Sequence, residues 1–281
     1  MKTKKIPKIR IILTLIVVMT ICAYGGYSIA KNLKIKQFND SFFDNIVLTP
    51  KVDADEAEES EKSIPVLMYH SINRRTGMTK LNPYVVSPKD FKEEMEYISK
   101  NKYTVISLDD LYYYMVQGKP VPKKSVVITF DDGYEDFYKN AYPVLKKYNF
   151  KATIFMIAGY VDKGNYYLNS NQLRELQNNG IDVESHTVFH ERLSTLSYQK
   201  QLKTLADSKI ILERFLNKKV NYIAFPYGSY NLDTMQALKK TGYLMAFTIK
   251  GGDSKLSQGL YTLHRVFVDG YNLFGVSHYF K

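Results

Sequence analysis

At 281 residues, 45% of them hydrophobic, the chain is long enough to bury one large α/β core with a short appendage. Its net charge of +11 is spread along the chain, which suits an anionic envelope surface or polymer; with no RNA- or DNA-binding motif present, nucleic acid is not an expected partner. The single cysteine, Cys22, lies in an apolar N-terminal run, so disulfides within the chain are excluded and no thiolate serves the folded region.

Lys2, Lys4, Lys5, Lys8 and Arg10 precede an uncharged run from Ile11 to Ala30. That run has about 20 residues, the length of a membrane-spanning helix. Residues 1–30 are therefore expected to form a transmembrane signal anchor, with the basic end cytoplasmic and the bulk of the chain extracellular at the cell membrane. Cleavage and secretion is the rival reading, since Ala23-Tyr24-Gly25 is a passable cleavage site. Ile21, where a small residue belongs, argues against lipid modification of Cys22. Residues 31–63 are polar and end in the acidic run from Asp53 to Glu61, which cannot bury a core and is expected to be a flexible linker. The folded, catalytic domain is expected over 64–281.

Within it, Ile64–Tyr69 reads as a strand ending on His70. Ser87-Pro88 and Asp90 open a helix whose apolar face carries Phe91, Met95 and Ile98. Tyr103–Ile106 is a strand, and Ser107 caps a helix running to Gln117, with Tyr112-Tyr113-Tyr114 as its partly buried stem. Val126–Phe130 is apolar without alternation, a fully buried strand that drives into Asp131-Asp132-Gly133. A helix follows from Tyr134 to Tyr148, then a strand over Ala152–Ile157. Ser170 is expected to cap a helix stopped by Gly180, and Ile181–Ser185 is a strand ending on His186. After Ser197 comes a longer helix, with Leu202, Leu205, Leu212 and Leu216 on one face. Tyr222–Phe225 is a short strand before Pro226-Tyr227-Gly228; Asn231 caps a helix stopped by Gly242; Leu244–Ile249 and Thr262–Val268 are the last strands. Strands alternating with helices at this spacing imply a parallel sheet, and about seven units suit a closed or nearly closed barrel. The unusual residues then share one rim.

Two adjacent carboxylates at a buried strand end make sense around a cation, since burying unpaired charge is costly. His186 and His190 are four residues apart; if a helical turn follows the strand, both rings face one way. With Asp132 they form a two-histidine, one-carboxylate set that leaves metal positions open. Asp131 is then the general base that takes a proton from water. Tyr227, between a proline and a glycine, is expected to offer its backbone N–H to an oxyanion.

Thr129-Phe130-Asp131-Asp132-Gly133, Ser185-His186-Thr187-Val188-Phe189-His190 and Phe225-Pro226-Tyr227-Gly228 resemble the first three motifs of the polysaccharide deacetylases, carbohydrate esterase family 4, the NodB homology domain. The resemblance covers roughly residues 64–268. It implies a distorted (β/α)7 barrel and metal-dependent removal of N-acetyl groups from a glycan, with Asp131 as base and Asp132, His186 and His190 holding the metal, usually Zn2+. Two departures matter. Phe225 stands where the family commonly has arginine, and His70 closes Val66-Leu67-Met68-Tyr69 at the front of the domain. The second feature resembles the biofilm poly-N-acetylglucosamine deacetylases and makes His70 the expected acid for the leaving amine. His264 is the alternative, and its neighbour Arg265 a candidate for the missing arginine beside Asp131; His278 is expected to be structural or exposed. The expected substrate is extracellular poly-β-1,6-N-acetylglucosamine, acted on by a monomer. Peptidoglycan, acetylated xylan and a catalytically silent glycan-binding barrel are the competing readings; a phosphate hydrolase lacks the expected number of metal carboxylates.

Overall fold

The computed structural model describes residues 63–74, 76, 82–271 and 276–280. The anchor expected over 1–30 and the linker over 31–63 lie outside these residues, save Ser63. Among the described residues no helix is long and apolar enough to cross a membrane.

The strands are β1 (Val66–Tyr69), β2 (Ser71–Ile72), β3 (Val85–Val86), β4 (Thr104–Val105), β5 (Ser125–Asp132), β6 (Ala152–Met156), β7 (Ile181–Ser185), β8 (Tyr222–Ala224), β9 (Met245–Phe247) and β10 (Val266–Phe267). Between them lie six α-helices: α1 (Pro88–Lys100), α2 (Leu108–Gln117), α3 (Tyr142–Tyr148), α4 (Ser170–Asn178), α5 (Tyr198–Leu216) and α6 (Leu232–Thr241). One curled parallel sheet runs β10-β1-β5-β6-β7-β8-β9, with β4 paired to the start of β5; β2 and β3 form a separate pair. The expected parallel α/β architecture is thus realised as a half-barrel. The segment after β9 meets both of its edges: Leu263 accepts from the Thr248 N–H and donates to the Ala246 carbonyl on the β9 side, while Val266–Phe267 pairs with β1.

Local chemistry accounts for most boundaries. Ser87 accepts from the Asp90 N–H, and Ser107 and Asp110 form a reciprocal capping box at α2. The cap of α4 is Asn169 rather than the expected Ser170, because the Asn169 side chain receives the Asn171 and Gln172 N–H groups while Gln172 reaches back. The helix expected from Tyr134 begins as a π-turn, Phe137–Ala141, before α3. Pro143 has no N–H for an ordinary bond to Lys139, so the ladder is interrupted there.

All eight residues of β5 are buried. Val126, Ile128 and Phe130 belong to the larger core, whereas Val127 belongs to the second, so alternate side chains feed opposite sides of the sheet. Asp131 follows the parity of Val127. Tyr69, at the end of β1, stacks on Phe130 at 5.2 Å and donates its hydroxyl to Glu94 Oε2 at 2.8 Å, which fastens α1 to the strand that carries His70.

Candidate active site

Extended geometry would send Asp131 and Asp132 to opposite sides. They line one cavity because Asp132 has a φ of 73°, which breaks the alternation. Left-handed backbone at an aspartate is disfavoured by about 1 kcal/mol or more and collects at functional sites. Gly133 continues the turn at φ 78°, and a Cβ there would lie 2.0 Å from Met156 Sδ, so any side chain would be strained and would have to displace Met156.

The cavity, of about 350 Å³, is lined by all six residues singled out in the sequence: His70, Asp131, Asp132, His186, His190 and Tyr227. Four separate strand ends therefore do meet. His264 is not among the lining residues; its backbone N–H donates to Gln258 Oε1 and its carbonyl accepts from Ser254. Tyr84 and Tyr134 also line the cavity and were not singled out. Tyr134 adjoins the Asp-Asp-Gly stretch, a signal that was available; Tyr84 is brought in by β3 and carries no local signal.

His186 and His190 are close, but no helical turn joins them. Thr187 (φ 66°) and His190 (φ 61°) form a left-handed turn instead. That turn is held by Glu191, which accepts from the Phe189 N–H at 3.0 Å and from Thr204 Oγ1 at 2.8 Å, tying it to α5. His186 Nδ1 lies 2.8 Å from the Ala224 carbonyl, which can only accept, so Nδ1 carries the proton and Nε2 faces Asp132.

Asp132 Oδ1 lies 3.4 Å from His186 Nε2 and 3.3 Å from His190 Nε2, and this buried oxygen has no hydrogen-bond partner among the described residues. One ligand atom from each residue falls within 4.8 Å of the others. Burial and the neighbouring His186 push the His190 imidazole down to about 4, leaving a neutral ring with a free lone pair. Burial would raise the Asp132 carboxyl, but the surrounding imidazoles, His186 foremost, outweigh it and hold the group ionised. Burial also opposes a charge on His186, yet the two aspartates favour one. Lone pairs converging on an ionised oxygen describe a cation site, and the donor set fits a borderline divalent metal.

Asp131 is 2% exposed and meets a cation of its own. Arg265, fully buried, donates Nη1 to Oδ1 and Nη2 to Oδ2, both at 2.7 Å. Arg265 Nε donates to the Thr248 carbonyl and Nη1 also to Thr129 Oγ1, so the fork is fixed in plane. Burial raises the Asp131 carboxyl, and Arg265 more than reverses this. Arg265 thus supplies the guanidinium that Phe225 cannot.

His70 sits 4.8 Å from the Tyr84 ring, and burial lowers its imidazole against the pull of Asp131 and Asp132. Tyr227 has a φ of 59°, and its half-exposed ring lies between His190, 4.5 Å away, and the Arg192 guanidinium at 3.8 Å. The ring therefore braces His190, a use that the expected backbone role does not include.

A family model for polysaccharide deacetylases matches residues 118–246. YxkH of Bacillus subtilis (strain 168), assigned as a polysaccharide deacetylase, is 39% identical over 208 residues, covering 74% of this chain and 72% of that protein. The chain belongs to the polysaccharide deacetylase family. The poly-β-1,6-N-acetyl-D-glucosamine N-deacetylase of Staphylococcus aureus (strain MSSA476) is 31% identical to this deacetylase over 216 residues, covering 68% of this chain and 73% of that one. The Streptococcus pyogenes deacetylase PplD, solved in complex with acetate, superposes with a TM-score of 0.74 at 31% identity, covering 78% of this chain and 96% of that one. As a deacetylase of carbohydrate esterase family 4, the chain is a metal-dependent hydrolase of acetylated polysaccharide.

Proposed function

We propose that this deacetylase removes N-acetyl groups from poly-β-1,6-N-acetylglucosamine, as a monomer with Zn2+ at Asp132, His186 and His190. The observation that carries the reading is His70, a strand-end histidine at the front of the domain that faces the Asp131/Asp132 cavity while His264 does not. The S. aureus relative, named for that substrate, supports the same choice. The segment that meets both sheet edges supports reading the half-barrel as a distorted (β/α)7 barrel.

A divalent cation on the three donors would supply Lewis-acid polarisation of the acetamide carbonyl and of water. The chain's own groups do the rest. Asp131, kept ionised by Arg265, accepts a proton from the attacking water. The Tyr227 backbone N–H donates to the oxygen on which charge develops. His70, which lines the same cavity, donates a proton to the departing nitrogen. Water and amide thus become acetate and a free amine.

Incubation with purified poly-β-1,6-N-acetylglucosamine, peptidoglycan and acetylated xylan, with assay of freed amines and acetate, is expected to give the fastest amine release from the first. Faster release from peptidoglycan would replace the substrate assignment, and binding without release would leave only a glycan-binding barrel. The basic N-terminus and uncharged run support placing the enzyme at the cell membrane with its catalytic domain outside. Immunoblots of membrane and medium fractions are expected to find the full-length chain with the membrane; a shortened product in the medium would overturn the anchor.

A further inference from the structure

We infer that Asp136 is a positioning residue for His70, setting the distance between the proton-donating imidazole and the Asp131/Asp132 pair. The inference rests on the reading of His70 as the acid.

Histidines that do chemistry are ordinarily oriented by a hydrogen bond at the second ring nitrogen. His70 Nδ1 is buried and has no such partner among the described residues. Its ring meets two aromatic rings edge-on, Tyr84 at 4.8 Å and Phe267 at 6.0 Å. What fixes the imidazole must therefore act through the backbone that carries it.

That backbone continues as Ser71-Ile72-Asn73, and one carboxylate gathers all three. Asp136 accepts from Ser71 Oγ at 2.6 Å, from the Ile72 N–H at 3.2 Å and from Asn73 Nδ2 at 3.4 Å. Asn140, one helical turn on, donates to the Ile72 carbonyl at 2.7 Å. From the other side the Ser71 N–H donates to the Tyr84 carbonyl at 3.1 Å, on the residue whose ring touches His70. The bracket is anchored four positions after Asp132, so base, metal ligand and bracket belong to one continuous stretch. Any movement of Asp131-Asp132 carries the His70 segment with it, and the acid-to-base spacing is conserved by construction. A displacement of about 1 Å in such a spacing can cost about 100-fold in rate.

A staple that merely stabilises the fold makes a different prediction from one that acts through His70, and a double-variant cycle separates them. kcat and KM would be measured on β-1,6-linked N-acetylglucosamine oligomers for the zinc-loaded wild type, Asp136→Ala, His70→Ala and the double variant. Asp136→Ala is expected to lower kcat by about ten-fold to 100-fold with KM within about three-fold. In the His70→Ala background it should add less than about two-fold. Zinc content should stay at the wild-type level, and Asp136→Asn, keeping one acceptor oxygen, should recover part of the loss. Should the alanine variant not fold, Ser71→Ala removes the 2.6 Å bond from the other end and enters the same cycle. A loss that multiplies with that of His70→Ala, or none in the wild-type background, overturns the proposal while leaving His70 as acid. Wild-type turnover in His70→Ala removes the acid itself, and with it anything to position.

Discussion

Asp131→Asn is expected to cut deacetylation by about 10²–10⁴ while leaving zinc content unchanged. The three candidate metal ligands are Asp132, His186 and His190, so the substitution spares the cation site. It removes the carboxylate whose charge is secured by the buried Arg265 guanidinium. Asparagine keeps one acceptor oxygen, but its NH2 would face Arg265, which makes two 2.7 Å bonds to the native carboxylate. The variant should therefore also melt earlier, and turnover must be read well below its midpoint. Metal analysis beside an amine-release assay checks both halves. Full activity in the variant would show that some other group takes the proton.

Arg265→Met should be as damaging by another route. A buried carboxylate stripped of its partner is destabilised by roughly 3–5 kcal/mol, and among the described residues Asp131 has no second ion pair. In the wild type the folded carboxyl lies below its ordinary value, so the pair stabilises the fold above that value and the contribution is lost as pH falls through the depressed one. In the variant burial is opposed only by the smaller pull of His186 and His70, and it pushes the carboxyl up. The sign then reverses: stability is retained at low pH and falls as pH rises through the new value. Thermal melts from pH 5 to pH 8 should show the gap to wild type widening with pH, and the acid limb of kcat/KM should move upward. Arg265→Lys should recover little, because one ammonium cannot reproduce a planar two-point contact. A variant that melts with wild-type pH dependence would mean the pair contributes nothing.

The sequence made legible what local chemistry announces. Asp131, Asp132, His186 and His190 stand at strand ends, where a charged or ligating residue has no packing reason to be. His70 was legible for the same reason. Strands and caps followed from apolar runs and Ser, Asn and Gly signals, with ends off by up to four residues, as for Thr262–Val268 against Val266–Phe267. Three things depended on long-range geometry. The His186–His190 turn is left-handed because Glu191 and Thr204 hold it, a bond between distant positions. The Tyr227 ring braces His190 only once two loops are side by side. Asp136 lies within the helix expected from Tyr134, and its partners Ser71, Ile72 and Asn73 lie more than sixty residues earlier. Arg265 was within reach because the Phe225 departure left a vacancy to fill; its register against Asp131 was not.

Asp131 and Arg265 are 134 positions apart, and the second arrives just ahead of β10. So non-local a contact forms more slowly than local ones, and it cannot begin before the later partner exists. A growing polypeptide therefore carries the acid for nearly half of its synthesis without the counter-ion that secures its charge. The ion pair that secures Asp131 therefore forms only once the segment through Val268 has docked beside β1.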